Sequence, residues 1–223
     1  LSLHDAFRSL AYLNAQGELS LDDGAQVKGA NLQLHDDSLT LGNAASLSGA
    51  NVALTTRGAA NFGAHSHIDA TGQLSLSNSN GGASGDLTLA SGAILNGASI
   101  VLNSAVVKLA AAAAFNSSGS LGLTASSVTM AADSYMQAAS TLSLKTSGDM
   151  TLGRLTNSGS AAQVFVIDAG GQITANGDGN ANLIATGSGT STVHAGLGIG
   201  SAAQALWVNL PVQIGRASCR ERV

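Results

Sequence analysis

The sequence predicts an all-β fold, a right-handed parallel β-helix (a solenoid) with three short strands per coil of about 20–22 residues. Three observations predict it. Apolar-x-apolar triplets recur at a nearly fixed interval, the composition favours short strands and tight turns, and Gly- and Asn-bearing segments separate the triplets. Of the 223 residues, 44% are apolar but only 3% aromatic and 10% charged, with 28 Gly and 1 Pro. Typical chains carry about 25% charged residues and about 5% Pro. Amphipathic helices need charged residues for their outer face, and these are scarce. A disordered chain would be poor in aliphatic residues and strongly charged, whereas this one is aliphatic with a net charge of −4.

Residues 1–16 are expected to hold part of a preceding coil, and 17–153 the regular coils. One triplet series begins with Leu19-Ser20-Leu21 and Leu39-Thr40-Leu41. It resumes at Leu87, Val107, Val128 and Met150, with steps of 20, 21 and 22 from 87 to 107, 128 and 150. A second series starts at Leu32, Val52, Leu74, Ile100, Leu121 and Leu142, with steps of 20, 22, 26, 21 and 21. The long step holds Asn78-Ser79-Asn80-Gly81-Gly82, read as an inserted loop. Between the series falls one apolar residue per coil: Val27, Leu47, Ile68, Leu95, Phe115 or Met136. In a strand the alternate residues share a face, so each triplet turns two apolar side chains inward. Turns are expected at Lys28-Gly29-Ala30, Ser48-Gly49-Ala50 and Asn96-Gly97-Ala98, where Gly admits a left-handed backbone. One coil cannot cover its inner face alone, so coils stack about 4.8 Å apart. An antiparallel sandwich would show longer strands and more aromatics, and a leucine-rich repeat would need an Asn within a Leu-rich consensus.

Residues 154–213 keep strand-like runs, such as Val164-Phe165-Val166-Ile167 and Leu206-Trp207-Val208, at a looser interval, and are expected to be divergent coils. Residues 214–223 carry three of the nine basic residues and the one Cys, Cys219. They read as a translated sequencing adapter and not as native chain. Without them the totals are 9 − 3 = 6 basic and 13 − 1 = 12 acidic residues, a net charge of −6. The chain is expected to be truncated at both ends.

Stacking aligns equivalent positions into columns. Asn31, Asn51, Gln73, Ser99, Ser120 and Thr141 precede the second series and are expected to form a hydrogen-bonded stacking ladder. Thr40, Thr88, Thr129 and Thr151 share an outward column with Ser20 and Lys108. That column is a candidate ligand face for ice or glycan, set against the ordinary preference of Thr for exposed strand positions.

Chemistry-bearing motifs are sparse. Asp22-Asp23 and Asp36-Asp37 are paired carboxylates with only Lys28 and Arg57 nearby, and are read as solvated turn acids. Asn176-Gly177-Asp178-Gly179-Asn180 alternates oxygen donors as calcium loops do, but lacks their spaced acidic ligands. His65 and His67 would lie on one side of a strand, two ligands where a zinc site needs more. Gly196-Leu197-Gly198-Ile199-Gly200 misses the dinucleotide spacing. No catalytic residues, metal ligands or cofactors are therefore expected, and an acidic chain gives no footprint for nucleic acid. No run approaches the roughly 18 apolar residues of a membrane helix, so no membrane insertion is expected.

Residues 17–153 resemble the repeat region of filamentous-haemagglutinin-like exoproteins, the secreted partners of two-partner (type V) secretion systems. The resemblance is carried by Gly17-Glu18-Leu19-Ser20-Leu21, Gly72-Gln73-Leu74-Ser75-Leu76 and Gly85-Asp86-Leu87-Thr88-Leu89. The segment from Gly198-Ile199-Gly200-Ser201 to Leu206-Trp207-Val208-Asn209 is similar to a recurring element of the same proteins. The resemblance implies a β-helix exported through an outer-membrane transporter barrel and held at a Gram-negative cell surface. It also implies a role in adhesion or aggregation, with a host or bacterial surface glycan or protein as partner. Two rival expectations are a β-helix carbohydrate-active enzyme and the stalk of a contact-dependent toxin system.

Overall fold

The computed structural model describes residues 7–14, 17–78, 85–201, 204–210 and 214–219. These contain 25 strands and no helix. All pairings are parallel and join equivalent segments of successive coils. This is a β-solenoid.

Each coil contributes three strand segments, which stack into three faces. The first face is a nine-stranded sheet running from Glu18–Leu21 and Ser38–Leu41 through Met150–Leu152 and Gln172–Ala175 to Gly198–Ile199. The second face includes Ser46–Gly49, Ala114–Ser117, Tyr135–Ala138, Arg154–Asn157, Leu183–Ala185 and Val208–Asn209. The third includes Asn51–Thr56, Leu121–Ala125, Leu142–Thr146, Gln163–Ala169 and Thr190–Ala195. Three long strands, Gln26–Asp36, His67–Asn78 and Ile94–Asn103, serve both of these faces in turn, which fuses them into one 16-stranded sheet. Nine coils at about 4.8 Å make a stack roughly 40 Å long.

The interior follows from strand alternation. In Leu121–Ala125 and Leu142–Thr146 alternate residues are buried, and each inward residue lies on its counterpart one coil along. The single apolar residues form one continuous inner column. Val27 pairs with Leu47, Leu47 with Ile68, Ile68 with Leu95, Leu95 with Phe115 and Phe115 with Met136. The column then runs on through Leu155 and Leu183, and Val208 of the last coil pairs with Leu183 but is exposed. The architecture thus crosses residue 153 without a break; what changes there is coil length. Partners Met150 and Ile173 differ by 23, Ile173 and Ile199 by 26, and Leu155 and Leu183 by 28.

Two details depart from the sequence reading. A first-face strand, Ala60–Phe62, fills the gap between the triplets at 39 and 87, with Ala60 and Phe62 buried. The left-handed turns also lie at a different corner. Gly29, Gly49 and Gly97 sit at the bend between the second and third faces without a left-handed backbone. A Cβ at Gly49 would lie 2.5 Å from the Gly29 carbonyl oxygen, so close coil contact, not backbone handedness, favours Gly there. From residue 18 to residue 134 the left-handed residues are Gly24, Ala44, His65, Gly92, Ala112 and Asp133, one per coil at the corner after the first face. Each is the third residue of a turn closed by a backbone bond, as in Ala25 N–H to Asp22 O (3.0 Å) and Ala113 N–H to Ala110 O (3.1 Å). The turns also bond to one another along the stack, with Gly24 N–H donating to Asn43 O (2.8 Å) and Ala44 N–H to Ala64 O (2.8 Å).

Of the expected insertion, Asn78 ends a strand and 79–82 lie outside the described residues. The terminal segment expected to be foreign places Ile214–Cys219 beside Thr190–Ala195 as a further parallel strand. An exposed sheet edge pairs through backbone groups, which every sequence carries.

Candidate functional site

The solenoid offers repeated outer columns, shallow grooves between them and a small pocket near its last coil. On the first face the outward column runs Ser20, Thr40, Asn61, Thr88, Lys108, Thr129, Thr151, Thr174. The four expected Thr lie in this column, but Asn61 separates Thr40 from Thr88 and Lys108 separates Thr88 from Thr129. Thr40 Oγ1 donates to Glu18 Oε1 (2.9 Å), and Lys108 Nζ reaches Asp86 Oδ2 (3.4 Å). Thr129, Thr151 and Thr174 are true neighbours, with 3.4 Å between the hydroxyls of the last two.

On the third face the six expected ladder residues follow one another from coil to coil, and side-chain hydrogen bonds join part of the column. Asn51 Nδ2 donates to Asn31 Oδ1 (2.8 Å), and Gln73 N–H donates to Asn51 Oδ1 (3.0 Å). Ser99 pairs with Gln73, and the Ser99 and Ser120 hydroxyls lie 3.4 Å apart. Leu121 N–H donates to Thr141 O (2.9 Å), and Thr141 Oγ1 donates to Gln163 O (2.8 Å).

A second ladder lies on the second face, where sequence reasoning missed it. Asn116 Nδ2 donates to Asn96 Oδ1 (3.0 Å), and Asn96 Nδ2 donates to Asp69 Oδ1 (2.6 Å). Gln137 continues the column beyond Asn116. Its signal was available, since each of Asn96, Asn116 and Gln137 follows the single inward apolar residue of its coil. With Thr71 and Ser118 these side chains line an open groove of about 630 Å³.

The acidic pairs do not converge. Asp22 and Asp23 are exposed, and Asp23 Oδ1 accepts from Asn43 N–H (2.6 Å). Asp37 forms an exposed ion pair with Arg57 at 3.1 Å. Asp36 is not a solvated acid: it is 1% exposed, because the inward alternation of Leu32 and Leu34 carries on to it. It opens an inward column with buried Thr56 and half-buried Asn78, in which Thr56 Oγ1 donates to Asn78 Oδ1 (2.5 Å). His65 occupies a left-handed turn and His67 the following strand, so the two are not on one side of a strand. The His65 ring lies against Gly92, where a Cβ would come within 2.6 Å of Nδ1. No group of three or more His, Cys, Asp or Glu suited to a metal occurs among the described residues. Within 196–200, Gly198–Ile199 forms a first-face strand.

The remaining feature joins two late segments. The 176–180 loop and Gln204, Ala205 and Trp207 line a half-open pocket of about 150 Å³, floored by Asn182. The loop turns on Gly177 and Gly179, at φ of 79° and 77°. Its own donors take up the Asp178 carboxylate: Asn180 N–H reaches Oδ1 (2.9 Å) and Asn176 Nδ2 reaches Oδ2 (3.0 Å). Burial by itself raises the Asp178 carboxyl. Hydrogen bonds from the Asn180 backbone, the Asn176 and Asn180 side chains and the Asp133 backbone outweigh it and hold the group below its ordinary range. These donors are what an anion needs, not a cation. Asn182, 1% exposed, gives Nδ2 to Leu152 O (2.9 Å) and Gly153 O (3.2 Å). Its Oδ1 accepts from Trp207 N–H (3.1 Å), and its own N–H donates to Trp207 O (2.8 Å). The backbone of Trp207 is therefore fixed to the previous coil while its side chain stays open to solvent.

No protein-family model, curated protein or solved structure matches the chain.

Proposed function

We propose that this chain is a stalk segment of a large secreted adhesin at a Gram-negative cell surface, mediating attachment or aggregation without catalysis. The observation that carries the reading is the unbroken stacking of nine coils on three faces, which makes a rod with repeated outer columns of Thr, Asn, Gln and Ser. Such a rod separates a tip from a base and repeats weak contacts along its length. The low charge and the Gly-x-Leu-x-Leu units support the same reading. Export through an outer-membrane barrel follows from the family resemblance. The test is attachment of beads coated with the full chain to epithelial cells and to one another. Adhesion or clumping well above that of albumin-coated beads is expected. Beads that neither attach nor clump, from a protein that instead releases reducing ends from polysaccharides, would overturn the stalk reading in favour of an enzyme.

A further inference from the structure

We propose that the pocket formed by Trp207, Asp178, Asn180 and Gln204 is a saccharide subsite that takes one neutral pyranose ring. The proposal rests on the attachment reading and gives it a ligand class. Trp207 is the only Trp in the chain, and 58% of it is exposed, whereas Phe62, Phe115 and Phe165 are fully buried. Leaving an indole in water forgoes stabilisation that burial would supply. Both backbone groups of Trp207 are tied to buried Asn182, itself bonded to the coil beneath, so the main chain that carries the indole is fixed beside the 176–180 loop. An indole face beside hydrogen-bonding side chains matches a pyranose, which has an apolar C–H face and a rim of hydroxyls. Each carboxylate oxygen has two lone pairs. The donors from Asn180, Asn176 and the Asp133 backbone orient Asp178, and a sugar hydroxyl would share its carboxylate with them. Asn180 and Gln204 add amides that can donate as well as accept.

Size and charge narrow the ligand. Drug-sized sites occupy about 300–1,000 Å³; at about 150 Å³ this pocket holds a single ring. Among the described residues no Lys or Arg lines it, so an acidic sugar would meet Asp178 uncompensated. Because the Asp178 carboxyl is held below its ordinary range, the acceptor stays charged through mildly acid conditions.

The sole Trp supplies the readout. The full chain is titrated with methyl β-D-galactopyranoside, methyl β-D-glucopyranoside, N-acetylneuraminic acid and choline chloride while Trp emission is followed. A saturable blue shift is expected with at least one neutral glycoside, with a Kd in the millimolar range, about what one ring can give. Asp178→Asn and Gln204→Ala should each weaken it about tenfold with an unchanged far-UV circular dichroism spectrum. Trp207→Ala should abolish saturation transfer from protein to glycoside in NMR. A response to choline alone would overturn the proposal and assign the pocket to a cation. No saturable response to any probe would also overturn it, leaving the indole as surface for a neighbouring coil. The bead assay separates the two proposals. Beads coated with Trp207→Ala that attach as well as wild type remove the subsite and keep the attachment reading, whereas wild-type beads that attach to nothing remove the attachment reading itself.

Discussion

Ala44, His65, Ala112 and Asp133 hold φ between 53° and 59°, a region that L-residues other than Gly, Asn and Asp rarely enter. Gly24 and Gly92 occupy the same corner without that strain. A non-Gly residue in this conformation costs about 1–2 kcal/mol, partly offset by the roughly 0.5–1 kcal/mol of unfolded-chain entropy that Gly carries. Ala112→Gly should therefore stabilise the protein by up to about 1 kcal/mol, seen as a higher urea midpoint by circular dichroism. Gly92→Ala should lower the midpoint, since it adds left-handed strain and a Cβ 2.6 Å from His65 Nδ1. Equal midpoints for both variants would sink the strain argument. The position of this corner was hard to read in the sequence for the same reason. Ala carries no local preference for a left-handed turn, and the stacking hydrogen bonds impose the geometry of Gly24 and Gly92 on coils that lack Gly there. The Gly-Ala pairs at 29, 49 and 97 drew attention to the wrong bend, where Gly serves close packing.

Strands are positioned here by two signals of unequal visibility. Leu-x-Leu alternation marks two strands per coil through residue 152, and the single apolar residue marks the third. Ala60–Phe62 escaped because Ala is a weak apolar marker, although it is buried as deeply as Leu39. The inward polar residues escaped as well. Ser117 Oγ donates to Ala98 O (3.1 Å) and Ser120 O (2.8 Å), and Asn157 Nδ2 to Ser140 O (2.7 Å) and Val164 O (3.0 Å). Where the chain rounds a corner, backbone carbonyls leave the sheet ladder, and these side chains satisfy them. Asn182 does this for Leu152 and Gly153 and also holds Trp207. Asn182→Ala should leave buried carbonyls unpaired at about 1–3 kcal/mol. It should also release Trp207, so that emission anisotropy falls at temperatures where the circular dichroism signal is intact. Unchanged anisotropy would mean that other contacts hold the last coil. The pocket itself was only half legible. The 176–180 loop and the run around Trp207 were each visible as segments, but they lie 25 or more residues apart and meet only because one coil stacks on the next.

At the scale of the molecule, the 20–22-residue interval carried the fold, because in a solenoid each coil repeats the same packing problem. After residue 153 the interval stretched to 23, 26 and 28 residues, so periodicity faded while the inner column of Leu155 and Leu183 persisted. The whole-molecule prediction is a rod. Small-angle scattering from the intact chain should give a cross-section set by one coil and a length of at least about 40 Å, with a strand-rich circular dichroism spectrum; a compact, isotropic particle would overturn the stack. One further consequence follows from the direction of the backbone hydrogen bonds. Every strand bonds only to the coil before and the coil after, as Val107 does to Leu87 and Val128, so the bonds lie along the long axis. Tension applied at the two ends would be carried by every coil interface in series, and a terminal coil, paired on one side only, would be the first to peel. Each peeled coil of 21 residues (Val107 to Val128) would pay out about 70 Å of thread at roughly 3.4 Å per residue. A stack of this kind would lengthen one coil at a time under a pull, in steps that follow coil lengths of 20 to 28 residues.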